Sequence, residues 1–110
     1  MKRIQIFLSE FLKTGFNFQD LFLISNIYVA IDANKKINAK DIKLMYPNAL
    51  SLSSIHRRIH HLREKGIVDI QLDYADGRKT FLVKGPNYKS TITILQSVVD
   101  KNIQVYLDDN

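Results

Sequence analysis

The chain has 110 residues, no cysteine and a formal net charge of +5, and 45% of its residues are hydrophobic. That length predicts a single domain over residues 1–110 with one hydrophobic core. The absence of cysteine excludes a disulfide scaffold and thiolate ligands for zinc. Charged residues interrupt the N-terminal apolar stretch, and no apolar run approaches the ~20 residues of a membrane span, so we expect a soluble, cytoplasmic protein without a membrane partner.

The positive charge is concentrated in the middle of the sequence. Residues 35–84 hold eleven Lys and Arg against five Asp and Glu, a net charge of +6, whereas residues 1–34 are neutral and residues 85–110 carry −1. A localised basic segment is expected where phosphates are the partner. The middle segment is therefore the candidate region for binding nucleic acid.

Two apolar helices are predicted in the first third of the chain. The first is predicted over residues 2–13, where the apolar residues Ile4, Phe7, Leu8, Phe11 and Leu12 share one helical stripe. The second begins after Asn17, which can act as N-cap, with Asp20 at the third helical position. Because it is apolar around most of its circumference as far as Ile31, we expect this second helix to be buried.

The basic segment begins with two further helices. A short helix is predicted at about residues 39–45, capped by Asn38 and stopped by Pro47. The next begins at the N-cap Ser51 and ends at Gly66, which suits the left-handed backbone of a helix C-terminus. Its buried stripe is predicted to be Ile55, Ile59 and Leu62. The opposite side carries polar and basic residues, namely Ser53, Ser54, Arg57, His60, His61 and Glu64.

A β-hairpin is predicted to follow. Residues 67–74 and 80–83 are rich in β-branched and aromatic residues, and Asp76-Gly77 lies between them. We expect Gly77 to adopt the left-handed backbone that a tight turn requires. After a turn at residues 85–87, a C-terminal helix is predicted from Tyr88 to about Val105. The alternating β-branched residues 91–94 leave a strand open as the alternative there.

The order of these elements predicts a mainly helical α+β fold, a winged helix-turn-helix. Residues 38–84 would form the helix-turn-helix and wing, and residues 1–34 and 86–106 would supply additional helices for the core and for dimerisation. Arginine pairs well with guanine edges and with phosphates, although a solvated surface would carry the same residues. The candidate DNA-binding residues are Ser53, Ser54, His56, Arg57, Arg58 and His61 on the reading helix, Arg78 and Lys79 on the wing, and Lys40 and Lys43 on the preceding helix.

Three segments resemble the multiple-antibiotic-resistance regulator (MarR) family of bacterial transcription factors. They are residues 53–57 at the start of the reading helix, residues 62–67 at its end, and residues 73–78 of the wing with Leu82 after them. The chain departs from the family in being shorter, in the turn before Ser51 and in carrying His56 where the family has a small hydroxyl residue. A phage or plasmid regulator of similar build fits the same pattern.

The resemblance implies a homodimer in which the first and last helices of each subunit pack together. Two-fold symmetry then implies a pseudo-palindromic operator with reading helices roughly 34 Å apart. It also implies that Arg78 enters the minor groove. Family regulators often hold a small-molecule effector between the dimerisation helices and the DNA-binding lobe. Phe16, Phe22, Tyr28 and Tyr88 could line such a pocket, but core packing explains the same aromatic residues.

The function expected from the sequence is therefore a dimeric, sequence-specific regulator of transcription, most simply a repressor associated with the bacterial nucleoid. The alternatives are a plasmid-partition or phage architectural DNA-binding protein, and a winged helix used only for protein contacts. An enzyme is not expected, because no nucleophile-base pair, paired carboxylates or phosphate-binding glycine loop is present. We expect no metal and no cofactor, since His56 and His60 are four residues apart but lack a third ligand.

Overall fold

The computed structural model describes residues 5, 9, 10 and 12–108, and of Val99 and residues 101–108 it describes the backbone alone. Its elements are α1 Phe18–Asp32, α2 Ala39–Met45, α3 Leu52–Glu64, β1 Val68–Leu72, β2 Thr80–Lys84 and α4 Tyr88–Asp108. The described residues before Thr14 are also helical. The rest of the helix predicted over residues 2–13 lies outside the described residues.

The core lies where α1 packs against the helix-turn-helix formed by α2 and α3. Its largest fully buried side chains come from all three helices: Leu23 and Ile27 of α1, Ile42 of α2, and Ile55 and Leu62 of α3. The same core also includes Ile67 and Val68 at the start of the hairpin, Leu82 of β2, and Tyr88 and Leu95 of α4. A mainly helical fold with a two-stranded sheet, as predicted, is confirmed. None of the helices in the described part of the chain is long and apolar enough to cross a membrane.

Hydrogen bonds with capping side chains determine where α1 and α2 begin. Asn17 accepts a hydrogen bond from the Asp20 amide at 2.8 Å, and the Asp20 carboxylate accepts one from the Asn17 amide at 3.2 Å. Asn38 and Asp41 repeat this reciprocal arrangement at the start of α2. Each cap satisfies backbone donors that the helix itself cannot, a contribution of about 1 kcal/mol. Both N-caps were predicted from the sequence and are confirmed.

The helix α3 begins and ends as its sequence predicts. The Ser51 hydroxyl accepts a hydrogen bond from the Ser54 amide at 3.1 Å. At the other end Gly66 has φ of +72°, and the amide of Ile67 donates to the Leu62 carbonyl at 3.0 Å. This is the Schellman pattern, in which a left-handed residue closes the last turn. The predicted stripe of Ile55, Ile59 and Leu62 is buried.

The hairpin is present, but its turn differs from the prediction. The strands β1 and β2 are antiparallel, with Val68 opposite Lys84 and Leu72 opposite Thr80. Residues 73–79 form the loop, which the Asp73 amide closes by donating to the Lys79 carbonyl at 2.9 Å. Gly77 does not have positive φ, so the expected left-handed tight turn is wrong. A loop of this length is instead shaped by aspartate side chains that accept from backbone amides within it.

One backbone hydrogen bond attaches the wing to the rest of the protein. The Leu82 amide of β2 donates to the carbonyl of Ile37, the residue just before the N-cap of α2, at 2.8 Å. Both residues are buried. The wing is therefore anchored at the start of the helix-turn-helix.

The end of α3 and the start of α4 meet in a second hydrogen-bonded junction. The Asn87 side chain donates to the Lys65 carbonyl at 2.9 Å, and its backbone amide donates to the Gly66 carbonyl at 2.7 Å. The Gly85 amide donates to the Ile67 carbonyl at 2.9 Å. Because the backbones approach so closely, a β-carbon at Gly85 would overlap the carbonyl of Gly66.

The segment from Tyr88 onward is helical, as predicted, and the strand alternative at residues 91–94 is wrong. Thr91 is buried, and its hydroxyl donates to the Asn87 carbonyl at 2.8 Å. A threonine hydroxyl that bonds the carbonyl one turn earlier is compatible with a helix. Packing of Tyr88, Thr91 and Leu95 towards the core thus outweighs the strand preference of the β-branched residues.

Candidate nucleic-acid interface

The outward face of α3 is polar and basic. Ser53, Arg57, His60 and Glu64 project from it, opposite the buried stripe. Arg57 is exposed and makes no hydrogen bond or ion pair with another described residue. Its guanidinium is therefore available for a partner outside the chain. His60 was not among the predicted contact residues, although its helical spacing from Ser53 and Arg57 places it on the same face.

The serine hydroxyls cluster at the N-terminus of α3. The Ser51 hydroxyl donates to the Ser54 hydroxyl at 2.9 Å and lies 3.2 Å from that of Ser53. Ser53 is exposed and Ser54 half-buried. The positive end of a helix macrodipole and a group of hydroxyls therefore lie together, an arrangement suited to a phosphate.

Two histidines share one acidic neighbour at the other end of this face. The His60 Nε2 lies 2.9 Å from the Glu64 carboxylate, and the His61 Nδ1 lies 3.8 Å from it. All three side chains are more than half exposed. Glu64 is thus held against the two imidazoles within the outward face.

The structure places Arg58 on the flank of α3 that faces α1. Its Nε donates to the Gln19 side-chain oxygen at 3.0 Å, and its Nη1 lies 4.0 Å from the Asp20 carboxylate. The Arg58 side chain is only 26% exposed. The helical pattern puts Arg57 at the exposed centre of the helix and Arg58 on its flank, but it gives no sign of the pairing with Gln19, which joins residues 39 positions apart.

Lys43 is engaged within the turn between α2 and α3. Its ammonium group donates to the carbonyl of Pro47 and, at 3.0 Å, to the carbonyl of Leu50. These are carbonyls that the irregular turn leaves without a helical partner. The position of Lys43 therefore supports the turn that sets α2 and α3 at their relative angle.

The two acidic residues of the wing loop are each paired with a lysine. Asp73 lies 3.0 Å from the Lys36 ammonium, and Asp76 lies 3.8 Å from that of Lys79. The hydrogen bond from Lys36, followed by that from the Ala75 amide, lowers the pKa of Asp73 below its ordinary value. Arg78 is exposed between these pairs with no acidic partner among the described residues. The tip of the wing therefore presents one uncompensated positive charge.

Four of the predicted contact residues come together around one cleft. Lys40 from the start of α2, His56 from α3, and Arg78 and Lys79 from the wing line a cavity of about 210 Å³. Its floor includes Ile59, Ile70 and Leu82. Three separate elements thus bring basic groups to a single side of the molecule.

The pairing of charges across the basic segment follows a pattern. Four of its cations lie near carboxylates: Lys36, Arg58, Arg63 and Lys79. Two others lie over aromatic rings, Lys65 over Phe16 and Lys84 over Tyr88. Of the eleven Lys and Arg of this segment, all of which the structure describes, the four with neither such a partner nor a hydrogen bond from the side chain are Lys35, Lys40, Arg57 and Arg78. Three of these four belong to the surface formed by α3, the wing and the start of α2.

The aromatic residues considered for an effector pocket lie in or against the core. Tyr88 is buried, and this burial raises the pKa of its hydroxyl. Phe16, Phe22 and Tyr28 pack against the core from its periphery. Phe22 also meets the Tyr46 ring edge to face, with 5.0 Å between ring centroids. Packing accounts for the positions of all four.

Solved structures with the same fold include bacterial transcription regulators. A variant of MepR from Staphylococcus aureus matches with a TM-score of 0.84 and 11% identity, over 99% of this chain and 77% of that one. MarR from the same organism, in complex with salicylate and kanamycin, matches with a TM-score of 0.72 and 14% identity, over 97% and 67% of the chains. BpsR from Bordetella bronchiseptica, whose DNA binding is regulated by 6-hydroxynicotinic acid, matches with a TM-score of 0.66 and 13% identity, over 94% and 70%.

No protein-family model matches the sequence, and no curated protein matches it either. The structural similarity is nevertheless extensive, because it includes the helix-turn-helix, the wing and the helices on both sides of them. The chain therefore has the MarR-like winged helix-turn-helix fold.

Proposed function

We propose that this protein is a transcription regulator that binds duplex DNA sequence-specifically. The observation that carries the proposal is the pairing pattern of the basic segment, in which Arg57, Arg78 and Lys40 keep uncompensated charge on one side of the fold. An unpaired arginine at the centre of an exposed helix is suited to guanine edges in the major groove. The similarity in fold to MarR and BpsR supports the same function.

In this proposal α3 enters the major groove and the wing contacts the adjacent backbone and minor groove. Arg57 and His61 lie on the helix face that would meet the bases, and Ser53 and Ser54 would meet a phosphate at the helix N-terminus. Arg78, Lys79, Lys40 and His56 surround the cleft between helix and wing. We propose that Arg58 and Lys43 stabilise this surface and do not contact DNA, because the side chain of each donates a hydrogen bond within the protein.

We further propose that the protein acts as a homodimer through its N-terminal segment and α4. With 21 residues, α4 is about 30 Å long, and it buries Tyr88, Thr91 and Leu95 in the part whose side chains are described. Leu12 is 71% exposed and Ile94 is 53% exposed. A second subunit would cover such apolar surface. Sedimentation equilibrium tests this, with an expected mass twice the 12.8 kDa of one chain.

DNA recognition is tested by selection and titration. Rounds of binding to a library of random 30-bp duplexes should enrich a pseudo-palindromic sequence. Fluorescence anisotropy should then show that Arg57→Gln weakens binding to the selected duplex by about 1–3 kcal/mol, more than it weakens binding to unselected DNA. Lys89→Gln is the matched control, since it removes the same charge from an exposed position on α4.

The outcomes also separate the alternatives. No enrichment of any sequence, or equal effects of Arg57→Gln and Lys89→Gln, would overturn the proposal and favour a winged helix used for protein contacts. Cooperative multiple complexes on tandem repeats would favour an architectural or partition protein. Repression is tested by a reporter gene placed behind the selected sequence, whose expression should fall when the protein is produced.

A further inference from the structure

The contact between α3 and the first turn of α1 combines a half-buried arginine with a buried carboxylate. Arg58 donates from Nε to the Gln19 side-chain oxygen at 3.0 Å, and its Nη1 is 4.0 Å from the Asp20 Oδ1. Gln19 and Asp20 are the second and third residues of α1. The contact therefore joins α3, immediately beside Arg57, to the beginning of α1.

The state of Asp20 explains why Arg58 is held there. The Asp20 side chain is 8% exposed; one oxygen accepts from the Asn17 amide, and the other, Oδ1, is buried without a hydrogen-bond partner among the described residues. A buried carboxylate oxygen is costly unless a positive charge lies nearby. The Arg58 guanidinium supplies that charge, so moving it towards DNA would leave Asp20 uncompensated.

The same contact limits how α3 can turn. The apolar stripe of Ile55, Ile59 and Leu62 fixes the depth of the helix, but an apolar stripe permits small rotations about the helix axis. A directional hydrogen bond on the flank restricts them. Because Arg57 and Arg58 are consecutive, a rotation that breaks the bond between Arg58 and Gln19 also re-aims Arg57.

We propose that Arg58, held by Gln19 and Asp20, is a positioning residue that orients α3 so that Arg57 faces the DNA bases. This inference rests on the proposed DNA-binding function and names a residue that acts on recognition without touching DNA. It predicts that DNA binding can be weakened by a substitution in α1, at Gln19, which is not part of the α3 face that would meet the DNA.

The experiment compares Gln19→Ala, Arg58→Gln and Arg58→Lys with wild type. Binding is measured by anisotropy to the selected duplex and to an unselected duplex of equal length, each at several salt concentrations. Gln96→Ala, at an exposed position on α4, is the matched control for Gln19→Ala. Thermal unfolding of each variant verifies that it is folded, and Gln19 is exposed, so its truncation leaves the core intact.

If Arg58 positions α3, Gln19→Ala should weaken binding to the selected duplex by about tenfold, within the range found for mutations away from a ligand. Binding to unselected DNA and the slope of log K against log salt should stay unchanged. Arg58→Gln should lower the same affinity with the same slope, and Arg58→Lys, which keeps the charge near Asp20 but loses the Nε donor, should be intermediate.

If Arg58 instead contacts a phosphate, Arg58→Gln should reduce the salt slope by about 0.9, and Gln19→Ala, which frees the arginine, should leave binding equal or stronger. Either result overturns the positioning role. A loss of thermal stability in Gln19→Ala with unchanged discrimination between duplexes would overturn it as well. Failure of wild type to bind DNA, or of Arg57→Gln to weaken binding, marks failure of the proposed function itself.

Discussion

The Lys36 ammonium lies 3.0 Å from the carboxylate of Asp73, and this ion pair joins the segment before α2 to the base of the wing loop. The same carboxylate accepts a hydrogen bond from the Ala75 amide at 3.1 Å. Lys36 also lies over the Phe81 ring of β2, 5.0 Å from its centroid. The wing loop is therefore held by a charge outside it, in addition to its own hydrogen bonds.

Loss of this pair should loosen the wing in a pH-dependent way. The pKa of Asp73 is lowered in the folded protein, first by the hydrogen bond from Lys36, so the stabilisation is present above the ordinary pKa of 3.8 and is lost as pH falls through the lower folded value. Thermal melts should show wild type more stable than Asp73→Asn by a constant amount above about pH 5, with the difference vanishing in stronger acid. A difference that grew towards acid pH would contradict this assignment.

Arg78→Ala should weaken DNA binding without changing which sequence is preferred. Phosphate and minor-groove contacts act similarly on most sequences, so affinity for selected and unselected duplexes should fall together, with a salt slope smaller by about 0.9. Anisotropy titrations beside Lys89→Ala, which removes the same charge from α4, measure this. An effect no larger than that of Lys89→Ala would place Arg78 outside the interface.

Ser51→Ala should destabilise the fold by about 1 kcal/mol. The hydroxyl is the acceptor for the Ser54 amide at the start of α3, and alanine leaves that donor without its cap. Urea unfolding measures the change, and Ser53→Ala, at an exposed position of the same helix, is the control and should be close to neutral. Equal midpoints for the two variants would show that the cap contributes little.

Gly85→Ala should destabilise the protein by about 1–3 kcal/mol, because the new methyl group would overlap the Gly66 carbonyl. Gly77→Ala tests the wing loop in the same way and should be neutral or slightly stabilising, since nothing lies within 4 Å and φ is not positive there. Thermal unfolding of both variants separates these cases. A Gly85→Ala variant as stable as wild type would mean that the backbones at Gly85 and Gly66 can move apart without lowering the free energy of unfolding.

Most of the fold was predictable because its signals are local. Asn17, Asn38 and Ser51 mark helix starts through short-range hydrogen bonds, and Gly66 marks a helix end through its backbone conformation. The buried stripe of α3 follows from periodicity alone. The expected turn at Gly77 was wrong because side-chain hydrogen bonds shape the seven-residue loop without positive φ.

The candidate site was less predictable, because its charge pattern depends on contacts between distant residues. Periodicity placed Arg57 at the exposed centre of α3 and Arg58 on its flank, but it could not show that Arg58 has a partner 39 residues away in α1. In the sequence Lys43 resembles a solvated lysine, and only the folded turn shows that its ammonium group donates to the carbonyl of Leu50. His60 could have been included from spacing alone. Which cations remain unpaired is decided by the tertiary fold.

The junction at Asn87 ties two elements with different proposed roles into one mechanical unit. The Asn87 side chain and backbone amide donate hydrogen bonds to the carbonyls of Lys65 and Gly66. A tilt of the start of α4 would therefore also move the last turn of α3. In a dimer assembled through α4, a change in the angle between subunits would therefore also change the orientation of α3, the helix proposed to read the major groove. This rigid junction would then help to set the distance between the two α3 helices of the dimer, and so the spacing between operator half-sites that the dimer can bind.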